Sequence, residues 1–327
     1  MPVISYIDAV TAALREEMER DSRVFVLGED VGKKGGVFKA THGLYDQFGE
    51  SRVMDTPLAE SAIAGVGIGA AMYGMRPVAE MQFADFIMPA VNQIISEAAK
   101  IRYRSNNDWH CPIVIRAPYG GGVHGALYHS QSVESVFANQ PGLKIVMPST
   151  PYDVKGLLKA AIRDEDPVLF FEHKRAYRLI KGEVPDEEYV LPIGKADVKR
   201  NGEDITVITY GLCVHFALQA AEKLASDGIS VHVLDLRTVY PLDKDAIIEA
   251  ASKTGKVLLI TEDNKEGSII GEVAAIIAEN CLFDLDAPIM RLAGPDIPAM
   301  PYAPTMEKRF MVNPEKVEKA MRELAGY

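Results

Sequence analysis

The sequence predicts an α/β protein built from two doubly wound domains, and three observations carry that expectation. Strand-like and helix-like runs alternate along the whole chain, the pattern of parallel sheets covered by helices. The strand-like runs are short, apolar and rich in β-branched residues, as at 112–115, which suits strands buried on both faces. Between residues 174 and 194 the periodicity fades into Gly182, Pro185, the acidic run Asp186-Glu187-Glu188 and Pro192, and a fresh cycle follows. That break sets the expected domains at 1–185 and 186–327.

The elements follow in order. An acidic amphipathic helix is expected over 7–20 and a strand over 24–27, ending in Gly28-Glu29-Asp30 before a polar, glycine-rich loop. In DTPLAES (55–61), Thr56 reads as an N-cap with Pro57 at the first helical position. The helix it would start, AIAGVGIGAAMYG, is made of small apolar residues and is expected to be buried on most sides. A strand over 76–83 precedes a helix from about 85 to 104 with Phe86 near its start. Further strands are expected at 144–148 and 167–172, around an amphipathic helix at 153–162. The second cycle reads as strands at 205–210, 231–236 and 257–261, with helices at 214–227, 244–253 and 269–280. A last helix, 314–325, carries Glu315–Lys319 and Glu318–Arg322 pairs at i,i+4.

Composition narrows the function classes. Hydrophobic content of 48% and charged content of 25% are ordinary for a soluble globular chain of 327 residues. A net charge of −11 argues against nucleic acid, whose binders need a basic face. No apolar run reaches the length of a membrane span. Cys111, Cys213 and Cys281 are scattered and form no CxxC, so neither a zinc ribbon nor a disulfide framework is expected. No signal or arginine-rich transit segment precedes the first helix, and a cytoplasmic chain is the simplest reading.

The stretch richest in chemistry is PIVIRAPYGGGVHGALYHSQS (112–132). A buried strand releases into Gly120-Gly121-Gly122, then His124 and His129, where open α/β sheets place ligands. A tight glycine turn with two hydrogen-bonded histidines is the alternative. Glu60 falls in the first turn of the small-residue helix. Its carboxyl either meets the helix dipole and nothing more, or is held dry enough to share a proton with a ligand nitrogen. Asp235 and Arg237 read as a pair that fixes a turn. The chain carries no HExxH, EF-hand, P-loop or GxGxxG in a strand-to-helix context, so this chain alone is not expected to bind phosphate or a metal.

Several ordered motifs, FVLGEDVG (25–32), GVFKAT (36–41), DTPLAES, KIRYRS (100–105), GGGVHGALYHSQS, PGLKIVMPSTPYDVKGLL (141–158) and DLRTVYPLD (235–243), carry a resemblance over essentially the whole chain. The sequence resembles the beta subunits of the thiamine-diphosphate-dependent, decarboxylating component of the 2-oxo acid dehydrogenase complexes. HGALYHSQS resembles the branched-chain enzyme more than the pyruvate enzyme. The resemblance implies a transketolase-like layout, with a pyrimidine-binding domain followed by a transketolase C-terminal-like domain that assembles subunits.

By motif match, the resemblance implies that Glu60 hydrogen-bonds the pyrimidine ring nitrogen of thiamine diphosphate. It implies that Phe86 packs on that ring, with a phenylalanine where relatives carry tyrosine, and that Leu58 and Gln82 line the pocket. His129 matches the histidine of acyl transfer to the lipoyl arm, with His124 secondary. Ile113, Ala161, Asp164 and Asp166 stand where the family holds a potassium ion, Asp166 replacing an asparagine. The family's GDG signature for magnesium and diphosphate is missing before Asn106-Asn107. The resemblance therefore implies an alpha subunit that holds Mg2+ and the diphosphate in an α2β2 heterotetramer. It also implies contacts with the lipoyl domain and the peripheral binding domain of the acyltransferase component. Expected alternatives are a pyruvate or acetoin dehydrogenase subunit, or a non-catalytic assembly subunit.

Overall fold

A computed structural model describes residues 1–327, which divide into two compact units. The first comprises residues 1–119 and 136–193, the second 120–135 and 194–327. The break thus falls at 193/194, beyond the expected 185/186, because residues 188–191 remain attached to the first unit. Tyr189 stacks on Tyr152 with centroids 4.7 Å apart, and the Leu191 N–H donates to the Gly156 carbonyl.

The first unit is organised on six parallel strands. After the short β1 (Val3–Ser5) come β2 (Val24–Gly28), β3 (Val53–Asp55), β4 (Arg76–Glu80), β5 (Val114–Tyr119), β6 (Lys144–Val146) and β7 (Val168–His173). Their order is β6-β7-β5-β4-β2-β3, and each of β2, β4, β5 and β7 is buried along its whole length. A strand covered on both faces can be continuously apolar, which is why these runs do not alternate. β1 instead pairs antiparallel with β8 (Lys181–Glu183). Helix α1 (Tyr6–Arg20) begins in a capping box between Ser5 and Asp8 and packs on α3 (Pro151–Arg163). Glu16 reaches Lys155 at 2.8 Å and Lys159 at 2.9 Å across that contact.

Two expected helices differ. α2 (Glu60–Met72) starts at Glu60 with Ala59 as its cap, and the Thr56 hydroxyl turns to the Pro57 carbonyl instead of capping. The helix also keeps an open face, with Val66 59% exposed, because its small residues give it no strong amphipathic direction. The expected helix over 85–104 is broken into a 3-10 segment (Ala84–Ala90), a π segment (Gln93–Glu97) and two short turns. Pro89 lacks the N–H that a continuous α-helix needs there.

A charged core ties the carboxyl ends of three strands together. Arg116 on β5 is fully buried; its Nε and Nη2 donate to Glu172 on β7 at 2.7 and 2.6 Å, and its Nη1 to Glu80 on β4 at 2.6 Å. The Tyr177 hydroxyl adds a bond to Glu172 at 2.5 Å. Burial opposes the charge on Arg116, yet Glu172 and Glu80 outweigh it and hold the guanidinium above its ordinary range.

The second unit contains β9 (Asp197–Arg200), β10 (Ile205–Thr209), β11 (Val231–Asp235), β12 (Thr238–Tyr240), β13 (Val257–Asn264) and β14 (Met290–Gly294). Its sheet runs β14-β13-β10-β11-β9, parallel except for the antiparallel edge strand β9. Helices α4 (Leu212–Ala225), α5 (Lys244–Thr254), α6 (Ile269–Cys281), α7 (Pro304–Phe310) and α8 (Pro314–Ala325) complete it. The turn after β11 is fixed as expected, by the Arg237 N–H donating to Asp235, while the Arg237 guanidinium pairs with Asp197 at 2.9 Å.

Candidate active site

The topology of the first unit marks one crevice. From β2 the chain moves outward to the edge strand β3, whereas from β4, the other neighbour of β2, it moves the opposite way to β5. Connections that part in this way open a cleft at the carboxyl ends of the strands. Glu29 follows β2, Leu58 and Glu60 follow β3, and Gln82 and Phe86 follow β4. The fold thereby brings the four residues expected around the ring to the ends of neighbouring strands. It adds a fifth, Glu29.

Glu60 is 9% exposed, and no donor of the chain reaches its carboxyl. The N-terminus of α2 lacks a side-chain cap, so this carboxyl is the acid nearest the exposed amides of the first turn. Glu29 is 8% exposed, and its buried Oε1 has no hydrogen-bond partner. Burial, then the negative charges of Glu60 and Asp30, push the Glu29 carboxyl above the usual range. Both effects disfavour the charged form of Glu29. Gln82 bridges the loops, its Nε2 donating to the Glu29 carbonyl at 3.4 Å. The sequence offered one hint of Glu29: an acidic pair directly after a buried strand.

The apolar side of the cleft fits a flat ring. Leu58 stands 79% exposed, and Phe86 is half-buried with its ring edge-on to Phe83 at 6.0 Å and 88°. Phe83 is fixed from behind by Phe38 at 5.4 Å and by the Lys174 ammonium at 5.5 Å from its centroid. A partnerless carboxyl beside an open leucine and a braced phenylalanine suits an aminopyrimidine, a flat ring whose nitrogen can meet the carboxyl. No group of three or more His, Cys, Asp or Glu side chains is arranged to hold a metal ion.

His124 and His129 lie in the second unit, on a loop over 120–135. Its base is closed by the Gly120 N–H donating to the Gln131 carbonyl at 3.0 Å. The Gly121 N–H donates to Glu262 at 2.6 Å and the Ser135 hydroxyl to Asp263 at 2.6 Å. His129, half-buried, follows a 3-10 turn (Ala126–Tyr128). Glu134 is 1% exposed and accepts from the Tyr210 hydroxyl at 2.8 Å. Burial, reinforced by Asp263 and Glu262, pushes its carboxyl up to about 8.

The expected cation residues gather on the first unit, where the Val168 N–H donates to the Ile113 carbonyl and the Asp164 N–H to the Ala161 carbonyl. The Asp164 carboxylate is held by Lys144 at 2.7 Å, and Asp166 by Arg102 at 2.9 Å. Their side chains are therefore engaged by protein cations, and the Asp164 carbonyl also accepts from Arg76 at 3.0 Å, so a potassium ion here would have to share backbone oxygens that already accept hydrogen bonds. Such hard oxygen donors suit an alkali cation.

Comparison with known proteins gives a consistent picture. Residues 3–180 match the model of the transketolase pyrimidine-binding domain, and residues 194–317 that of the transketolase C-terminal domain. The chain is 88% identical over 327 residues, all of both chains, to the 2-oxoisovalerate dehydrogenase subunit beta of Bacillus subtilis strain 168. It is 51% identical over 296 residues to the pyruvate dehydrogenase E1 component subunit beta of the same organism, covering 90% of this chain and 91% of that one. A solved structure described as a split-gene transketolase, inactive beta4 tetramer, superposes with a TM-score of 0.79, covering 99% of this chain and 98% of that chain at 22% identity. That likeness is one of fold.

Proposed function

The chain belongs to the transketolase-fold beta subunits of the 2-oxo acid dehydrogenases, and from that premise we propose that it serves a branched-chain 2-oxo acid dehydrogenase. With an alpha subunit it catalyses oxidative decarboxylation of branched-chain 2-oxo acids and reductive acylation of a lipoyl group. The observation that carries the substrate class is the full-length 88% identity to a 2-oxoisovalerate dehydrogenase beta subunit, against 51% to a pyruvate dehydrogenase one.

Thiamine diphosphate, when bound, supplies a carbon nucleophile and a sink for the electrons left by decarboxylation. The chain's own part is to hold and move a proton. Glu60 meets the pyrimidine nitrogen from a setting with no competing donor, and burial together with the charges of Glu60 and Asp30 holds the Glu29 carboxyl above its usual range. Leu58 and Phe86 clasp the ring and exclude water, while Gln82 holds the loop of Glu29 in place. His129 acts on the acyl-transfer side, as a proton donor or electrostatic partner of the charge that develops there.

The magnesium and diphosphate grip is assigned to the alpha subunit of an α2β2 assembly, because no GDG precedes Asn106-Asn107 in this chain. A potassium ion is assigned to the backbone oxygens of Ile113, Ala161, Asp164 and Asp166. The acyltransferase component is the further partner, through its lipoyl and peripheral binding domains. We place the enzyme in the cytoplasm. No helix is long and apolar enough to cross a membrane, and Cys111, Cys213 and Cys281 are all unpaired, as in a reducing compartment.

The test is Glu60→Gln in the alpha–beta enzyme, assayed with an artificial electron acceptor on 2-oxoisovalerate and on pyruvate. Turnover should be lost with assembly intact; near-normal decarboxylation contradicts the assignment. Faster turnover of pyruvate by the parent enzyme would move the chain to the pyruvate class.

A further inference from the structure

One buried carboxylate organises the glycine-rich half of the histidine loop. Glu307, on α7 and 3% exposed, accepts through Oε1 from the Gly122 N–H at 3.1 Å and the His124 N–H at 3.2 Å. Its other oxygen, Oε2, lies 2.6 Å from His124 Nδ1, while the His124 side chain stays 57% exposed. Backbone and side chain of one histidine thus converge on a single acid. His124, the residue so anchored, is close to His129 in sequence, and its neighbour Gly125 lies against His129 in structure. A Cβ on Gly125, the residue after His124, would stand 2.6 Å from the His129 carbonyl oxygen and 2.7 Å from its Cβ. Whatever fixes His124 therefore fixes the surface against which His129 rests. His124 and Ala126 both adopt left-handed backbone, at φ 58° and 54°. Residues other than glycine adopt that conformation uncommonly, and for Ala126 in particular the surroundings must favour it.

We propose that Glu307 is a positioning residue for acyl transfer: by gripping Gly122 and His124 it sets the place of His129. The inference rests on the role given to His129 above. Charge-assisted bonds to two amides of one loop are strong and directional, which suits the task.

The test uses the alpha–beta enzyme with Glu307→Ala, Glu307→Gln, His124→Asn, His129→Ala and the double variant Glu307→Ala/His129→Ala. Two rates are compared, lipoyl-domain acylation and decarboxylation with an artificial acceptor. Hydrogen exchange is followed over residues 120–126. Glu307→Ala should lower kcat for acylation by about ten-fold more than decarboxylation, since small misplacements of a reacting group are costly. It should also speed exchange at the amides of Gly122 and His124. Glu307→Gln, which keeps an acceptor for those amides, should recover most of both. His124→Asn, an exposed change at a left-handed position that asparagine tolerates, should cost a few-fold and covers the case in which Glu307→Ala fails to fold. The double variant should be no slower than His129→Ala, because both act through one group. Normal acylation in Glu307→Ala, no recovery in Glu307→Gln, or losses that multiply in the double variant would each overturn the inference. If Glu307→Ala does not fold, normal acylation in His124→Asn overturns it. Normal acylation in His129→Ala would instead remove the role of His129 itself.

Discussion

Replacing Arg116 with methionine should be the most damaging single change in the first unit that leaves the cleft residues themselves intact. The side chain is fully buried and makes three charge-assisted bonds of 2.6 to 2.7 Å. Without it, Glu80 and Glu172, 4% and 0% exposed, face each other across the strand ends with no cation between them. An uncompensated buried charge costs about 3–5 kcal/mol. At about 2–4 °C per kcal/mol for a unit of this size, the midpoint of thermal unfolding should fall by roughly 6–20 °C. Circular dichroism on the alpha–beta enzyme reads the shift, with Arg322→Met as the control. Arg322 pairs with Glu318 and Asp227 at the surface, and its removal should leave the midpoint unmoved. The consequence reaches the cleft, because the Glu80 carbonyl lies against Gly28, directly before Glu29. An Arg116→Met enzyme that melts with the Arg322→Met control would refute the argument.

Three further outcomes follow from particular residues. Glu134 has its carboxyl raised from 4.5 to about 8, so the stability it contributes is complete below about 4.5 and lost as pH rises through about 8. Between pH ~6.5 and ~9 the parent should therefore lose more stability than Glu134→Gln, and parallel profiles by calorimetry would contradict this. Gly125→Ala should displace His129 by contact alone, since φ at Gly125 is an ordinary −82°. Lipoyl acylation should fall about ten-fold or more, and an unchanged rate would show that the loop absorbs the methyl. Exchanging potassium for sodium should lower the melting temperature of the alpha–beta enzyme, and an unmoved midpoint would retire the backbone cation site.

Much of this was legible in the residues themselves. Parallel strands announce themselves by continuous apolar runs, and β2, β4, β5, β6, β7, β10, β11 and β13 each overlap a stretch where the sequence places a strand. Local signals misled where tertiary contacts decide. Thr56 and Pro57 have the chemistry of a helix start, yet the helix begins only at Glu60, which leaves that residue on the first turn without a competing cap. The stretch over 84–104 is helical in composition, but Pro89 and the bulged turn after it break the hydrogen-bond ladder. Tyr189 looks like part of a linker until it stacks on Tyr152. Neither Glu29 nor Glu307 carries a local sign of its burial in the sequence, and Glu307 acts on amides of a loop far away along the chain. Glu60 itself drew notice by its place in a motif, whereas its lack of a partner is visible only in the fold.

The central claim is that this chain provides the proton-handling half of a shared thiamine pocket and leaves the diphosphate to its partner. Calorimetric titration of thiamine diphosphate with magnesium tests it directly, against the chain alone and against the alpha–beta complex. Saturable binding is expected of the complex, and none of comparable affinity of the chain alone. Equal affinity in the two titrations would contradict it.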